Sequence, residues 1–203
     1  MQTSTFTAEP LKYKELPGLS ERQLAEHHDV LYAGYVKKVN ELRESLKNVD
    51  VTKANATYSD LREMKIEEGF AVNGVTLHEA YFANLTPSET KPEGDILALI
   101  EQDFGSFETW AAEFAACGIA GRGWVVLAFD FKDNRLHTYV CDVHNQGGIW
   151  GSIPLLVLDV YEHAYFLDYA TARKKYIDVF MSHIDWSVAN GLIAQHGLMG
   201  RRG

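Results

Sequence analysis

Leu155-Leu-Val-Leu-Asp159-Val-Tyr-Glu-His163-Ala-Tyr165 is an apolar run that ends on a carboxylate and is followed closely by an imidazole. Pro154–Leu158 is short enough for a buried strand. A carboxylate closing such a strand needs a partner, because an unpaired buried charge is very costly. Asp159 therefore reads either as the N-cap of a following helix, a role aspartate fills well, or as a ligand. His163 lies four residues on, within reach of the same point if helix begins at Asp159. Glu162 is a second carboxylate in this aromatic setting, open to a surface position or an internal salt bridge.

Upstream, Trp124–Phe131 and Arg135–Val143 are rich in Val, Phe and Tyr and read as two strands. Lys132-Asp133-Asn134 is a plausible hairpin turn between them. Before them the pattern is helical. Ser20 and Gln23 have capping-box spacing, and Leu24, His27, Leu31, Tyr35, Leu42 and Leu46 follow as one stripe. A second helix is expected over 58–70 and a third from Asn73 to Leu85, with Val75, His78 and Phe82 on one face. Thr86–Gly94, with Pro87, Pro92 and Gly94, reads as a linker. Two short helices follow, the second opened by Ser106. Helix is expected to resume after Asp159 and to continue, with room for breaks, to about residue 197, and the tail 197–203 is expected to fray. The order is that of an α+β chain with helices segregated from the sheet.

His27 and His78 each sit on an apolar helical stripe, where a hydrogen-bonded core histidine is the ordinary occupant. Two on facing helices, with Asp159 and His163, make three imidazoles and a carboxylate. That set suits zinc, iron or manganese with a coordination position left over. Other chemistry is set aside. There is no Gly-x-Gly-x-x-Gly fingerprint, P-loop, Gly-x-Ser-x-Gly elbow or His-Glu-x-x-His helix. A net charge of -9 disfavours nucleic acid as a partner. Cys117 and Cys141 form no Cys-x-x-Cys pair, which speaks against a thiolate zinc site; they could form one disulfide, but free thiols of a cytoplasmic protein are the simpler reading. No apolar run is long enough for a membrane span.

Five motifs carry a resemblance to the iron/manganese superoxide dismutases: Glu26-His-His-Asp-Val-Leu-Tyr-Ala-Gly-Tyr35-Val36, Leu77-His-Glu-Ala-Tyr-Phe-Ala-Asn84-Leu85, Asp103-Phe-Gly-Ser-Phe-Glu108, Gly121-Arg-Gly-Trp124 and Asp159-Val-Tyr-Glu-His-Ala-Tyr165. The resemblance covers roughly residues 16–190. It implies an N-terminal helical hairpin (1–88) and a C-terminal α/β domain (89–203) with a three-stranded antiparallel sheet. It implies His27, His78, Asp159 and His163 as ligands of one manganese or iron ion per chain.

It further implies that Tyr35 guards the substrate path and that Trp124 walls the pocket. Glu162 and Tyr165 would lie at an interface between two copies, as a homodimer or a dimer of dimers. Arg173 is implied either as a steering charge for the superoxide anion or as a structural ion pair. The manganese-type pattern places a glutamine after the second strand, and Gln146 stands there, while Gly74 replaces the glutamine of the iron-type pattern. An exposed turn residue is the other reading of Gln146.

The chain also departs from the family. Leu31 stands for a usual histidine, Tyr161 and Phe82 for tryptophans, and Val126 for another tryptophan. The implied activity is superoxide dismutation. The altered wall keeps a second reading open, a metal-binding protein of this fold with little or no dismutase activity, and a third, another oxygen-activating enzyme on the same scaffold.

Overall fold

The computed structural model of the chain describes residues 5–202. It begins with an extended arm whose Phe6 exchanges two backbone hydrogen bonds with the Asn40 side chain, at 2.8 and 2.9 Å. Helix α1 (Glu21–Ala25) starts where expected, with the Ser20 side chain accepting from the N–H of Gln23. The capping box is not completed by Gln23. The N–H of Ser20 donates instead to Asp168 at 2.7 Å, and Gln23 is buried with its amide turned elsewhere.

From Glu26 to Tyr32 the helix widens into a π-helical segment and then continues as α2 (Ala33–Leu46). The N–H of Ala33 reaches back to the carbonyl of His28, five residues earlier. This moves the buried stripe by one position. His27 remains on it, but beyond His27 it runs through Tyr32, Val36 and Val39, all buried, while Leu31, Tyr35 and Leu42 are half-buried. A 3.6-residue pattern cannot register the extra residue that a π segment inserts.

The two helices expected over 58–70 and 73–85 are one helix, α3 (Asp60–Ala83). Ser59 caps it, with Asp60 and Glu63 in its first turn. Gly69 and Gly74 do not break it, because tertiary packing outweighs a glycine's low helix propensity. Gly74 is where the two helices approach closely: a Cβ built there would lie 3.0 Å from the Tyr35 ring.

Asn84, at the C-terminus of α3, fastens the helices to the sheet. Its side chain accepts from the N–H of Val157 at 3.0 Å and donates to the carbonyl of Leu155 at 3.4 Å. Helices α4 (Gly94–Phe104) and α5 (Phe107–Ala120, capped by Ser106) precede the sheet. Its strands are β1 (Trp124–Asp130), β2 (Arg135–Cys141) and β3 (Ser152–Asp159), antiparallel in the order β2-β1-β3. The expected hairpin turn is present, with Asn134 at φ 58°. Pro154 lies on edge strand β3 beside a register shift opposite Leu127 and Ala128, a position that tolerates a residue without an N–H. Trp124 pairs with Asp159 across β1 and β3, so the pocket wall and the carboxylate are neighbours by register.

After Asp159 the chain does not enter a helix at once. A 3-10 turn (Glu162–Ala164), the four-residue α6 (Phe166–Tyr169), α7 (Arg173–Ser182) and α8 (Trp186–Gln195) follow. The C-terminal tail is held through residue 202. Leu198 is fully buried, and Arg202 pairs with Asp103. No helix among the described residues is long and apolar enough to cross a membrane.

Candidate metal centre

Four elements bring their side chains to one point. The π segment supplies His27, α3 supplies His78, the end of β3 supplies Asp159 and the 3-10 turn supplies His163. One ligand atom from each lies within 4.8 Å of the others. His27 Nε2 is 3.0 Å from Asp159 Oδ2, His163 Nε2 is 3.1 Å from it and His78 Nε2 is 3.6 Å from it. His27, His78 and Asp159 are 1%, 0% and 0% exposed, whereas the His163 side chain is 25% exposed. The site is thus closed on the side of the two helices and open beside His163.

Burial would raise the Asp159 carboxyl, but His163 and His27 beside it hold it well below the usual carboxylate range. Its Oδ1 accepts from the N–H of Tyr161 at 2.9 Å. Burial also pushes the His78 imidazole down to about 3, so this ring is neutral. His78 Nδ1 lies 2.6 Å from the carbonyl of Gly74, which can only accept. Nδ1 therefore carries the proton, and Nε2 presents a lone pair toward the Asp159 carboxylate.

His78 Nε2 is buried without a hydrogen-bond partner. A lone pair facing an anion is repulsive unless a cation lies between them. The donor set therefore fits a metal ion: three imidazoles and one carboxylate, with the unpartnered nitrogen of His78 aimed at the shared oxygen.

The wall is aromatic. The Trp124 ring stands at 89° to His78 with centroids 4.9 Å apart, Phe82 lies 4.9 Å from His27, and Tyr161 stacks on His163 at 5.1 Å. Beyond Trp124 lies a residue that pattern reading did not single out. Trp124 Nε1 donates to His144 Nδ1 at 3.0 Å, and His144 Nε2 meets the Tyr35 hydroxyl at 2.8 Å. Burial takes the His144 imidazole down to about 4, so it is neutral. An indole N–H can only donate, so Nδ1 is the acceptor and Nε2–H donates to Tyr35. The Tyr35 hydroxyl thus accepts from His144 and keeps its own proton free for another partner. Burial raises its pKa, so that proton is retained.

Gln146 is not part of this chain of hydrogen bonds. It is exposed, in a turn where its N–H bonds the carbonyl of Val143. The position expected to touch the centre is filled by His144, two residues earlier. His144 lies in a loop without periodicity, and its burial beside Trp124 is a tertiary fact. The only sequence signal is a histidine shortly after the second strand.

Arg173 Nε donates to the Tyr165 hydroxyl at 3.0 Å, and Nη1 donates to the carbonyl of Gly121 at 2.8 Å. Arg173 makes no ion pair with a carboxylate among the described residues. Glu162 is exposed beside His163.

Residues 92–191 match the family model for the C-terminal domain of iron/manganese superoxide dismutases. A superoxide dismutase [Fe] of Aquifex pyrophilus is 42% identical over 89% of this chain and 86% of its own length. The chain belongs to the iron/manganese superoxide dismutase family. A superoxide dismutase [Mn] 1 of Haloferax volcanii is 37% identical over 90% of this chain and 92% of its own length. A superoxide dismutase [Fe] of Cupriavidus metallidurans is 39% identical over 89% and 90%. Relatives named for either metal therefore share most of the chain, and family membership alone does not choose between manganese and iron.

Proposed function

We propose that this chain is a superoxide dismutase that disproportionates superoxide to oxygen and hydrogen peroxide at a single manganese or iron ion held by His27, His78, Asp159 and His163. The observation that carries the reading is the convergence of three imidazoles on Asp159, with His78 Nε2 buried and unpartnered. Held there, manganese or iron supplies one-electron chemistry by cycling between two oxidation states. The protein's own contribution is the rest. Asp159 brings the negative charge that offsets the ion, and the aromatic wall of Trp124, Phe82 and Tyr161 excludes water. Trp124 fixes the tautomer of His144, His144 orients Tyr35, and the Tyr35 hydroxyl proton is the one free to meet a reduced substrate oxygen. Arg173, bonded to the Tyr165 hydroxyl and the Gly121 carbonyl, keeps a positive charge with no carboxylate partner among the described residues, which suits attraction of a small anion.

With Gln146 exposed, the sequence argument for manganese no longer stands, and His144 takes over the position next to the centre. The test is dismutation by metal-free protein reconstituted separately with manganese and with iron. Activity with either metal supports the reading and identifies the working ion. No turnover in folded, fully loaded protein would favour the metal-binding reading, to which the Leu31, Tyr161, Phe82 and Val126 departures point.

We also infer a homodimer formed across the open side. A cavity of about 310 Å³ there is lined by Leu31, Glu162, His163, Phe166 and Leu167, among others. Val30, Phe166 and Leu167 are 58%, 45% and 49% exposed around it. A clustered apolar rim beside a half-open site is what a second copy would cover. The free thiols Cys117 and Cys141 fit a reducing compartment, so we infer the cytoplasm.

A further inference from the structure

We propose that Gln23 is a positioning residue that sets the seat of His163 from the helix carrying His27. Gln23 is 1% exposed, and both ends of its amide are used. Nε2 donates to the carbonyl of His163 at 2.6 Å, and Oε1 accepts from the N–H of Leu167 at 3.1 Å. That carbonyl and that N–H are four residues apart, the pair that would bond to each other in an uninterrupted α-helix. Here the chain passes from the 3-10 turn into α6, and the glutamine amide is interposed between the two groups.

Gln23 is free for this because its helix end is satisfied elsewhere. Ser20 Oγ takes the N–H of Gln23, and Asp168 takes the N–H of Ser20 that a capping-box glutamine would have taken. Gln23 and His27 are one turn apart on the same side of the helix. One helix therefore presents a ligand and, through Gln23, fixes the backbone of another ligand that comes from the far end of the sequence. His163 needs this more than its fellows: His27, His78 and Asp159 are closed in by packing, whereas His163 is partly exposed and sits on a short, irregular turn.

The inference rests on His163 being a ligand, so the experiment includes His163→Ala as a reference. Loss of metal to a strong chelator is followed in the loaded native protein and in Gln23→Met, Gln23→Glu, Ser20→Ala and His163→Ala. Thermal midpoints are measured with and without metal, and Leu167 amide exchange is measured in the metal-free form. Gln23→Met removes both hydrogen bonds at similar volume. Gln23→Glu keeps the acceptor for Leu167 and sets a carboxylate oxygen against the His163 carbonyl.

Both Gln23 variants are expected to lose metal about 10–100-fold faster, the range for groups that orient metal ligands. The gap between the loaded and metal-free midpoints should narrow, and Leu167 should exchange faster in Gln23→Met. Ser20→Ala should lower both midpoints together and leave metal loss unchanged. Gln23 variants that behave like Ser20→Ala would overturn the proposal. A His163→Ala variant that holds metal like the native protein would instead remove the ligand assignment beneath it.

Discussion

Arg173 Nε donates to the Tyr165 hydroxyl at 3.0 Å, so this buried phenol finds its hydrogen-bond partner within its own chain. The same guanidinium holds the carbonyl of Gly121 just before β1, so Tyr165, β1 and α7 are tied at one charged group. Both contacts are neutral, so they leave the Arg173 charge uncancelled.

Arg173 should therefore affect the encounter with superoxide. Arg173→Gln is expected to lower kcat/KM by about tenfold at low salt, the lower end of electrostatic steering, and to flatten its dependence on ionic strength. Arg173→Lys keeps the charge but cannot make both hydrogen bonds from a fork, so it should preserve the salt dependence while losing stability. Stopped-flow kinetics over a salt series, with thermal melts, separate the two effects.

The chain from Trp124 through His144 to Tyr35 predicts an asymmetric response to substitution. His144→Ala leaves the buried Trp124 N–H without an acceptor, a cost of about 1–3 kcal/mol. It also frees the Tyr35 ring, so turnover should fall about 10–100-fold. His144→Gln can still accept from Trp124 and donate to Tyr35 and should retain most of both properties. Equal losses in the two variants would contradict the role assigned to this hydrogen-bonded path. The measurements are denaturant unfolding and dismutation at saturating metal.

Gly74 faces the Tyr35 ring, with three ring carbons at 3.0 to 3.3 Å from where a Cβ would stand. Gly74→Ala gains up to about 1 kcal/mol in helix propensity. It also forces the phenol to give way. Activity should fall while the thermal midpoint stays nearly constant, and Tyr35→Phe should remove most of the difference in activity between the alanine variant and its parent.

Lys12 pairs with Asp185 at 2.6 Å and joins the N-terminal arm to the start of α8. Burial opposes ionisation of Asp185, but Lys12 and Ser187 outweigh it and hold the pKa below its ordinary value. A carboxyl lowered by folding stabilises the protein above its unfolded pKa, and that contribution is lost as pH falls through the folded value. The difference in thermal midpoint between the native protein and Asp185→Asn should thus be constant above about pH 5 and shrink below about pH 4. Asn keeps the cap acceptor for Ser187, so the comparison isolates the charge.

The sheet, the linker and the four converging side chains were legible because they rest on local chemistry. Alternation and β-branched residues mark strands, and a histidine on an apolar stripe is conspicuous. Three features were not legible, each for a physical reason. Residues 70–73 read as a break between two helices, yet α3 runs straight through them, and nearby Gly74 is the contact that lets Tyr35 lie against it. Gln23 has the spacing of a capping residue, but Asp168, far along the chain, takes that bond. His144 and Gln146 share a loop, and only the position of Trp124 decides which of them turns inward.

The π segment from Glu26 to Tyr32 has a consequence for any change in this helix. Each helical residue turns the chain by about 100°. Deleting one residue there would give a more regular helix and at the same time rotate everything after it out of phase with His27. The imidazole would stay at the metal while the Tyr35 phenol swung off the path to His144. Regularity and the angular match between ligand and proton donor are therefore opposed in this stretch, and a substitution chosen only to improve the helix would detune the site.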